Sequence, residues 1–316
     1  MLIMNRFLAV VWDFDPVFFS IGNFEVRYYG VLWAGAILVG AIFFYRFCKR
    51  EGLPSKYADS IFLWGVLATI IGARLGHCFF YEPVYYLEHP LEIFNIRKGG
   101  LASHGAAIGL LIGLWGFSRR NKLPYLWPLD RIMIPVGIGG AMIRFGNLLN
   151  SEIYGGPTTL PWGFEFLRDP EWARPLAEGG GGALPAHPTQ IYEALFYLLT
   201  FGLLCWMYYK KDYGRRYPGV MFGVGLIGIF LSRFLLEFIK RPQVSFEETM
   251  FLNMGQWLSL PFIILGVVMI WYGFNHPKIA LPDGKAKQAH VIKKEIEAQK
   301  TAKAAKQKAA KKQTGK

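Results

Sequence analysis

In the stretch RFGNLLNSEIYGGP, residues 144–157, Arg144, Asn147 and Asn150 recur every third residue, and Glu152 and Gly155 follow where Gly-Gly-Pro ends the run. On a helix that spacing keeps neighbouring members on adjoining parts of one face. A guanidinium set among amides in apolar surroundings suits an anion, and a phosphodiester of a lipid headgroup is the anion most available to a membrane-embedded site. Other polar groups interrupt apolar runs elsewhere: Tyr29 in RYYG, His104 in GGLASHGAAIG, His187, Gln190 and Glu193 in HPTQIYE, and Arg233 with Glu237 in RFLLEFIKRP. Arg144 and Arg233 can clamp a phosphate, and histidine is the side chain best suited to take a proton at neutral pH. Lys240 and Arg241 add positive charge, and the glycines around His104 would let a headgroup approach the backbone.

The elements that must carry these groups are membrane helices. Hydrophobic residues make up 53% of the 316 positions against 18% charged. Apolar runs of about 20 residues recur, the length that crosses a hydrocarbon core of roughly 30 Å. The expected fold class is an all-α polytopic membrane protein with seven transmembrane helices, at about 28–47, 58–80, 100–118, 127–149, 188–208, 219–239 and 252–273. No run shows the turn-bounded alternation of a membrane barrel.

Lys and Arg are unevenly distributed between the connections. Segments 46–57, 119–122, 209–217 and 278–316 carry four, three, four and twelve, whereas 1–27, 81–99, 150–187 and 240–251 carry two each. The imbalance, 23 against 8, predicts a periplasmic N-terminus and a cytoplasmic C-terminus. It also places all the polar clusters above in the outer half of the membrane.

The expected organisation is a helical body over 1–277 and a Lys/Ala-rich cytoplasmic tail over 278–316. A small periplasmic head, 150–187, is inserted between helices four and five and contains the run EGGGG at 178–182. The tail holds twelve Lys against Asp283, Glu295 and Glu297, most of the net charge of +13. It lacks the aromatic residues that bind single strands by stacking, so a flexible segment near anionic lipids is expected, and no nucleic acid. Asp13, Asp15 and Glu25, without a small-residue cleavage site, argue for an uncleaved outer segment lying along the interface. Cys48, Cys78 and Cys205 lie in or at the ends of spans and imply no disulfide framework.

Each group also has a plain structural reading. Arg233 and Glu237 can neutralise each other as an i, i+4 pair, Asn147 and Asn150 can be interhelical glue, and His104 can be a packed histidine. Arg74 in GARLGH is either structural or a third phosphate contact. A transporter or scramblase would favour inverted repeats, which the sequence lacks. An intramembrane metalloenzyme could draw on His77, His104, His187 and Glu193, yet no closely spaced ligand pair occurs, so neither metal nor cofactor is expected. Convergence of independent segments on one leaflet favours function.

RFGNLLNSEIYG resembles the signature of bacterial prolipoprotein diacylglyceryl transferases, and GGLASHG, HPTQIYE and RFLLEF resemble further blocks of that family in the same order, over about residues 15–275. The resemblance implies a bacterial inner-membrane enzyme that moves the diacylglyceryl group of phosphatidylglycerol onto the lipobox cysteine of a precursor lipoprotein. A thioether forms and glycerol phosphate leaves. Tyr29, His104, Arg144, Asn147, Glu152, Gly155, Arg233 and Glu237 match functional positions of the family. His104, Arg144 and Arg233 are expected to be catalytic and the other five to bind substrate, with Glu152 and Glu237 orienting the arginines. The expected partners are phosphatidylglycerol, lipobox prolipoproteins and membrane lipids, and the expected state is a monomer. Ile229 stands where the family can carry a tyrosine, and Ala106 where a second glycine is commoner.

Overall fold

The structure is a computed structural model that describes residues 9–22, 24–95, 100, 102–169, 185–240 and 250–276. The tail 278–316, the EGGGG run and Arg241 lie outside the described residues.

In chain order the elements are β1 (Val10–Trp12), β2 (Val17–Ile21), β3 (Phe24–Arg27), α1 (Tyr28–Glu51), α2 (Lys56–Phe80), α3 (Pro83–Glu88) with a 3-10 turn Pro90–Phe94, and α4 (Ser103–Asn121). There follow α5 (Leu126–Leu149), β4 (Phe164–Phe166), α6 (Thr189–Tyr209), α7 (Tyr213–Arg216), α8 (Val220–Leu236) with a 3-10 turn Glu237–Ile239, and α9 (Met254–Asn275). Six of them, α1, α2, α5, α6, α8 extended by its 3-10 turn, and α9, are long and apolar enough to cross a membrane. The seventh span expected over 100–118 is a helix too, α4. Its four glycines and its terminal Arg119 and Arg120 make it less apolar than the others.

The described chain divides into two compact units, one drawn from 1–43, 132–206 and 222–269, the other from 44–131, 207–221 and 270 onward. In the first, β1 pairs in parallel with β4, Val10 opposite Phe164 and Trp12 opposite Phe166. Strand β4, within the segment 150–187, is thus paired with the N-terminal segment. The hydrophobic core here joins Leu148, Tyr154, Phe164, Phe166 and Ala186, with Trp12 and Ile191 packed on them. Trp12 Nε1 donates to the Leu148 carbonyl at 3.0 Å, which ties this small layer to the end of α5. The Arg168 guanidinium donates to Asp13 at 2.7 Å, and that bond holds its pKa above the usual arginine value.

In the second unit α2 and α4 approach through small residues. Ala68, Gly72 and Gly76 face Gly105, Gly109 and Gly113, each set repeating every four residues. A Cβ on Gly76 would lie 2.7 Å from the Gly105 Cα, and one on Gly113 would lie 2.6 Å from the Ala68 Cβ. Where lipid tails are as apolar as leucine, such close backbone packing is what holds helices together. The space beside Gly105 is thus filled by α2, which corrects the expectation that this glycine opens room for a headgroup.

The same unit contains a buried polar knot. Glu51 accepts from Arg131 Nε and Nη2, both at 2.9 Å, from Trp127 Nε1 at 2.7 Å and from the Tyr208 hydroxyl at 2.6 Å. Arg131 also donates to the carbonyls of Trp127 and Gly214, at 3.0 and 3.1 Å. Nothing in the sequence patterning singled these residues out. All three cysteines are free thiols.

Candidate active site

The first unit gathers most of the polar groups expected from the sequence. Arg144 sits in the last two turns of α5, its side chain 15% exposed, and its Nε lies 2.5 Å from Glu193 Oε2 on α6. Arg144 Nη1 donates to Asn147 Oδ1 at 3.3 Å, and Asn147 Nδ2 donates to Glu152 Oε1 at 2.7 Å. Asn150 Nδ2 reaches the same Glu152 oxygen at 3.3 Å. The spacing of one helix end therefore becomes a relay from guanidinium through amide to carboxylate.

Glu193 is the centre of the charge arrangement, 1% exposed, with Lys240 Nζ 2.5 Å from its other oxygen and the Tyr197 hydroxyl donating at 3.3 Å. Lys240 also donates to Glu237 at 3.3 Å. In the sequence Glu193 stands among the polar groups at the start of its helix and Lys240 among the supporting cations, and neither is expected as a site residue. The available signal was a carboxylate one turn into an otherwise apolar helix. The expected partners differ accordingly. The carboxylate that fixes Arg144 is Glu193, Glu152 accepts from two amides, and Glu237 pairs with Lys240. No Arg233–Glu237 ion pair is found among the described residues. The charges of Arg144 and Arg233 both act on Glu193.

Backbone bonds knit the loop after α5 between α6 and α8. Gly155 N donates to the His187 carbonyl at 2.8 Å, Gly156 N to Ile239 at 2.8 Å, and His187 N to Gly156 at 3.0 Å. Gly155 has no room for a side chain: a Cβ would lie 2.7 Å from the His187 Cβ and 2.8 Å from the Ile239 oxygen. Gln190 Nε2 donates to the Glu152 carbonyl at 2.7 Å and Thr189 Oγ1 to Ile153 at 2.9 Å. Held this way, Ser151 and Ile153 adopt positive φ, +56° and +60°, and for the β-branched Ile153 that is a strained conformation. Burial pushes the His187 imidazole below the usual histidine pKa, favouring its neutral form.

Tyr29 starts α1 and packs on Gly146, where a Cβ would lie 2.8 Å from its ring. Ile229 packs against the buried Ala141, Ala194 and Tyr197. The hydroxyl beside the Arg144–Glu193 pair thus comes from Tyr197 on α6. His104 belongs to the other unit, where it is exposed and lies against Phe80 and Tyr81, ring centroids 5.4 and 5.7 Å away. Arg74 is buried and spent on backbone, its guanidinium donating to the carbonyls of Glu92, Ile93, Asn95 and Gly100.

Several buried polar atoms around the Arg144 relay have no hydrogen-bond partner among the described residues: Asn150 Oδ1, Ser151 Oγ, Gln190 Oε1 and Arg233 Nε. Buried polar atoms are paired almost everywhere in folded proteins, so unspent capacity gathered in one place marks a ligand site. No group of three or more His, Cys, Asp or Glu able to hold a metal ion occurs among the described residues.

A family profile described as prolipoprotein diacylglyceryl transferase matches residues 16–272, which take in every residue of the site described above. The chain belongs to this family. It is 48% identical over 274 residues, 85% of this chain and 96% of the relative, to the phosphatidylglycerol–prolipoprotein diacylglyceryl transferase of Porphyromonas gingivalis. Proteins of the same name from Chloroherpeton thalassium and Tolumonas auensis are 42% and 38% identical, covering 87% and 82% of this chain and 98% and 95% of their own lengths. With six apolar helices of spanning length, this family member is a multi-pass membrane protein.

Proposed function

We propose that this chain transfers the diacylglyceryl group of phosphatidylglycerol to the thiol of a lipobox cysteine in a precursor lipoprotein, the first step of lipoprotein maturation. The observation that carries the reading is the Arg144–Asn147–Glu152 relay with its unpaired neighbours, set at the ends of apolar helices in a member of this family.

Thiolate is the attacking form of the cysteine. It displaces the phosphate oxygen at C3 of the glycerol, so a C–S bond forms as the C–O bond breaks, and glycerol phosphate leaves carrying the bond's electron pair. Arg233, whose Nε has no partner among the described residues, and Arg144, oriented by Glu193, stabilise the charge gathering on that phosphate. Asn147 and Glu152 receive the headgroup, Tyr29 and Gly155 shape its seat, and Glu237 fixes Lys240 beside Glu193. The thiol proton goes to His104, whose exposed ring can meet a substrate arriving from lipid.

The protein works as a monomer in the bacterial inner membrane. Its N-terminus and head are periplasmic, and its basic tail lies against anionic cytoplasmic lipid. Purified protein in detergent, given phosphatidylglycerol and a synthetic lipobox peptide, is expected to yield lipidated peptide and glycerol phosphate in equal amounts. Arg144→Ala and His104→Ala should each abolish both products. Wild-type protein that is folded and binds the lipid yet releases nothing would overturn the enzymatic reading.

A further inference from the structure

After α2 the chain turns through α3 and the 3-10 turn Pro90–Phe94, an elbow with an unusual surface. Val84, Leu87, Leu91 and Phe94 are 68, 76, 81 and 80% exposed. They continue a stripe of exposed apolar residues running up α2 at every fourth position, Leu63, Leu67, Ile71, Leu75 and Phe79. Because α2 is a spanning helix, that stripe faces lipid, and Val84, Leu87, Leu91 and Phe94 extend it into the elbow, with the exposed Glu82, Glu88 and His89 interspersed.

Irregular backbone is excluded from hydrocarbon unless its carbonyls are satisfied from within the protein. Arg74 supplies this on the elbow's other side. It donates to the carbonyls of Glu92 at 2.6 Å, Ile93 at 2.7 Å, and Asn95 and Gly100 at 3.2 Å, that of Glu92 accepting from Asn95 N as well. Tyr86, the one buried residue of α3, lies under the guanidinium at 5.0 Å and against the His77 ring. Gly100, at φ +76°, packs where a Cβ would stand 2.8 Å from Arg74 Nη1.

The geometry points to the elbow Pro83–Phe94 as a lipid-docking surface. Val84, Leu87, Leu91 and Phe94 insert among phospholipid acyl chains in the leaflet at the C-terminal end of α2, and Arg74 locks the elbow's backbone so that it can enter. Phe80 and Tyr81 join α2 to the elbow and touch the His104 ring, so the elbow sets the depth at which that ring meets lipid. The docking holds whichever group takes the thiol proton.

The test uses the full chain in phosphatidylglycerol-containing liposomes. An environment-sensitive fluorophore is attached at Leu91→Cys, Leu87→Cys or Glu88→Cys, with the unmutated protein as background for Cys205. Labels at 91 and 87 should be blue-shifted, quenched by lipids carrying a nitroxide on the acyl chain, and several-fold better protected from aqueous iodide than the label at 88. Adding Arg74→Gln should return the label at 91 to iodide while the protein stays folded by its melting curve. If positions 91 and 87 are as open to iodide as 88, the docking surface does not exist. If Arg74→Gln leaves position 91 in lipid, the lock is not Arg74.

Discussion

Among the described residues two arginine–glutamate pairs are buried, and they are built on opposite principles. Around Glu51 and Arg131 both carboxylate oxygens are engaged, Nε, Nη1 and Nη2 of the arginine all donate, and the Trp127 and Tyr208 rings stand against the guanidinium at 4.6 and 5.8 Å. Among the described residues no buried polar atom of this knot lacks a partner. Around Glu193 and Arg144 the pairing is as close, yet amide, hydroxyl and guanidinium atoms nearby have no partner among the described residues and the adjoining backbone is strained. A buried charge pair is therefore no sign of function by itself; the unspent polarity around it is.

This contrast breaks most readily at Arg131. Arg131→Ala leaves Glu51 buried without its countercharge, a loss of about 3–5 kcal/mol when one partner of a buried pair is removed. The apparent melting temperature in detergent should fall by more than for any other substitution considered, while transfer activity per folded molecule stays close to wild type. If stability survives and activity is lost, the Glu51 knot belongs to the reaction and the division fails.

The opposite signature is expected at Arg233. Arg233→Lys keeps the charge but loses the planar fork that matches a phosphate, and removing one preorganised donor costs about 10²–10³ in rate. Lipidated-peptide formation should drop by that order, with the melting temperature nearly unchanged because Nε has no partner to lose among the described residues. Between these two lies Glu193→Gln, which keeps the shape but removes the charge shared by Arg144 and Lys240. Both stability and turnover should fall, the rate by about tenfold, since an oriented arginine becomes a mobile one. A change confined to the melting curve would reduce Glu193 to a structural role.

What the sequence made legible follows the same division. The spans were readable because length and apolarity are fixed by the bilayer, and the less apolar α4 was the one whose spanning character composition left least distinct. Arg144, Asn147 and Glu152 could be grouped because they lie on one helix end, where spacing alone decides proximity. Glu193 and Lys240 meet Arg144 from distant segments, and pairing across helices leaves no periodic trace. The knot of Glu51, Trp127, Arg131 and Tyr208 was invisible for that reason, each member passing for an interface residue beside a basic loop. Arg74 stays ambiguous in the sequence, because only the fold shows that its donors end on carbonyls.

The smallest effect expected is at Ile153, where the open site stores strain. A left-handed conformation costs an ordinary L-residue roughly 1–2 kcal/mol, and asparagine tolerates it better. Ile153 is 39% exposed, so replacing it removes little buried apolar surface. Its carbonyl, which accepts from Thr189 Oγ1, is backbone and survives the change. Ile153→Asn should therefore raise stability by about 0.5–1 kcal/mol, read as a small rise in melting temperature. If the strain serves only to seat Glu152, activity should hold, because the relaxed residue keeps the same φ. A fall in stability would mean that the loop is held by contacts of the isoleucine side chain, and Ile153 would then join the packed residues rather than the strained ones.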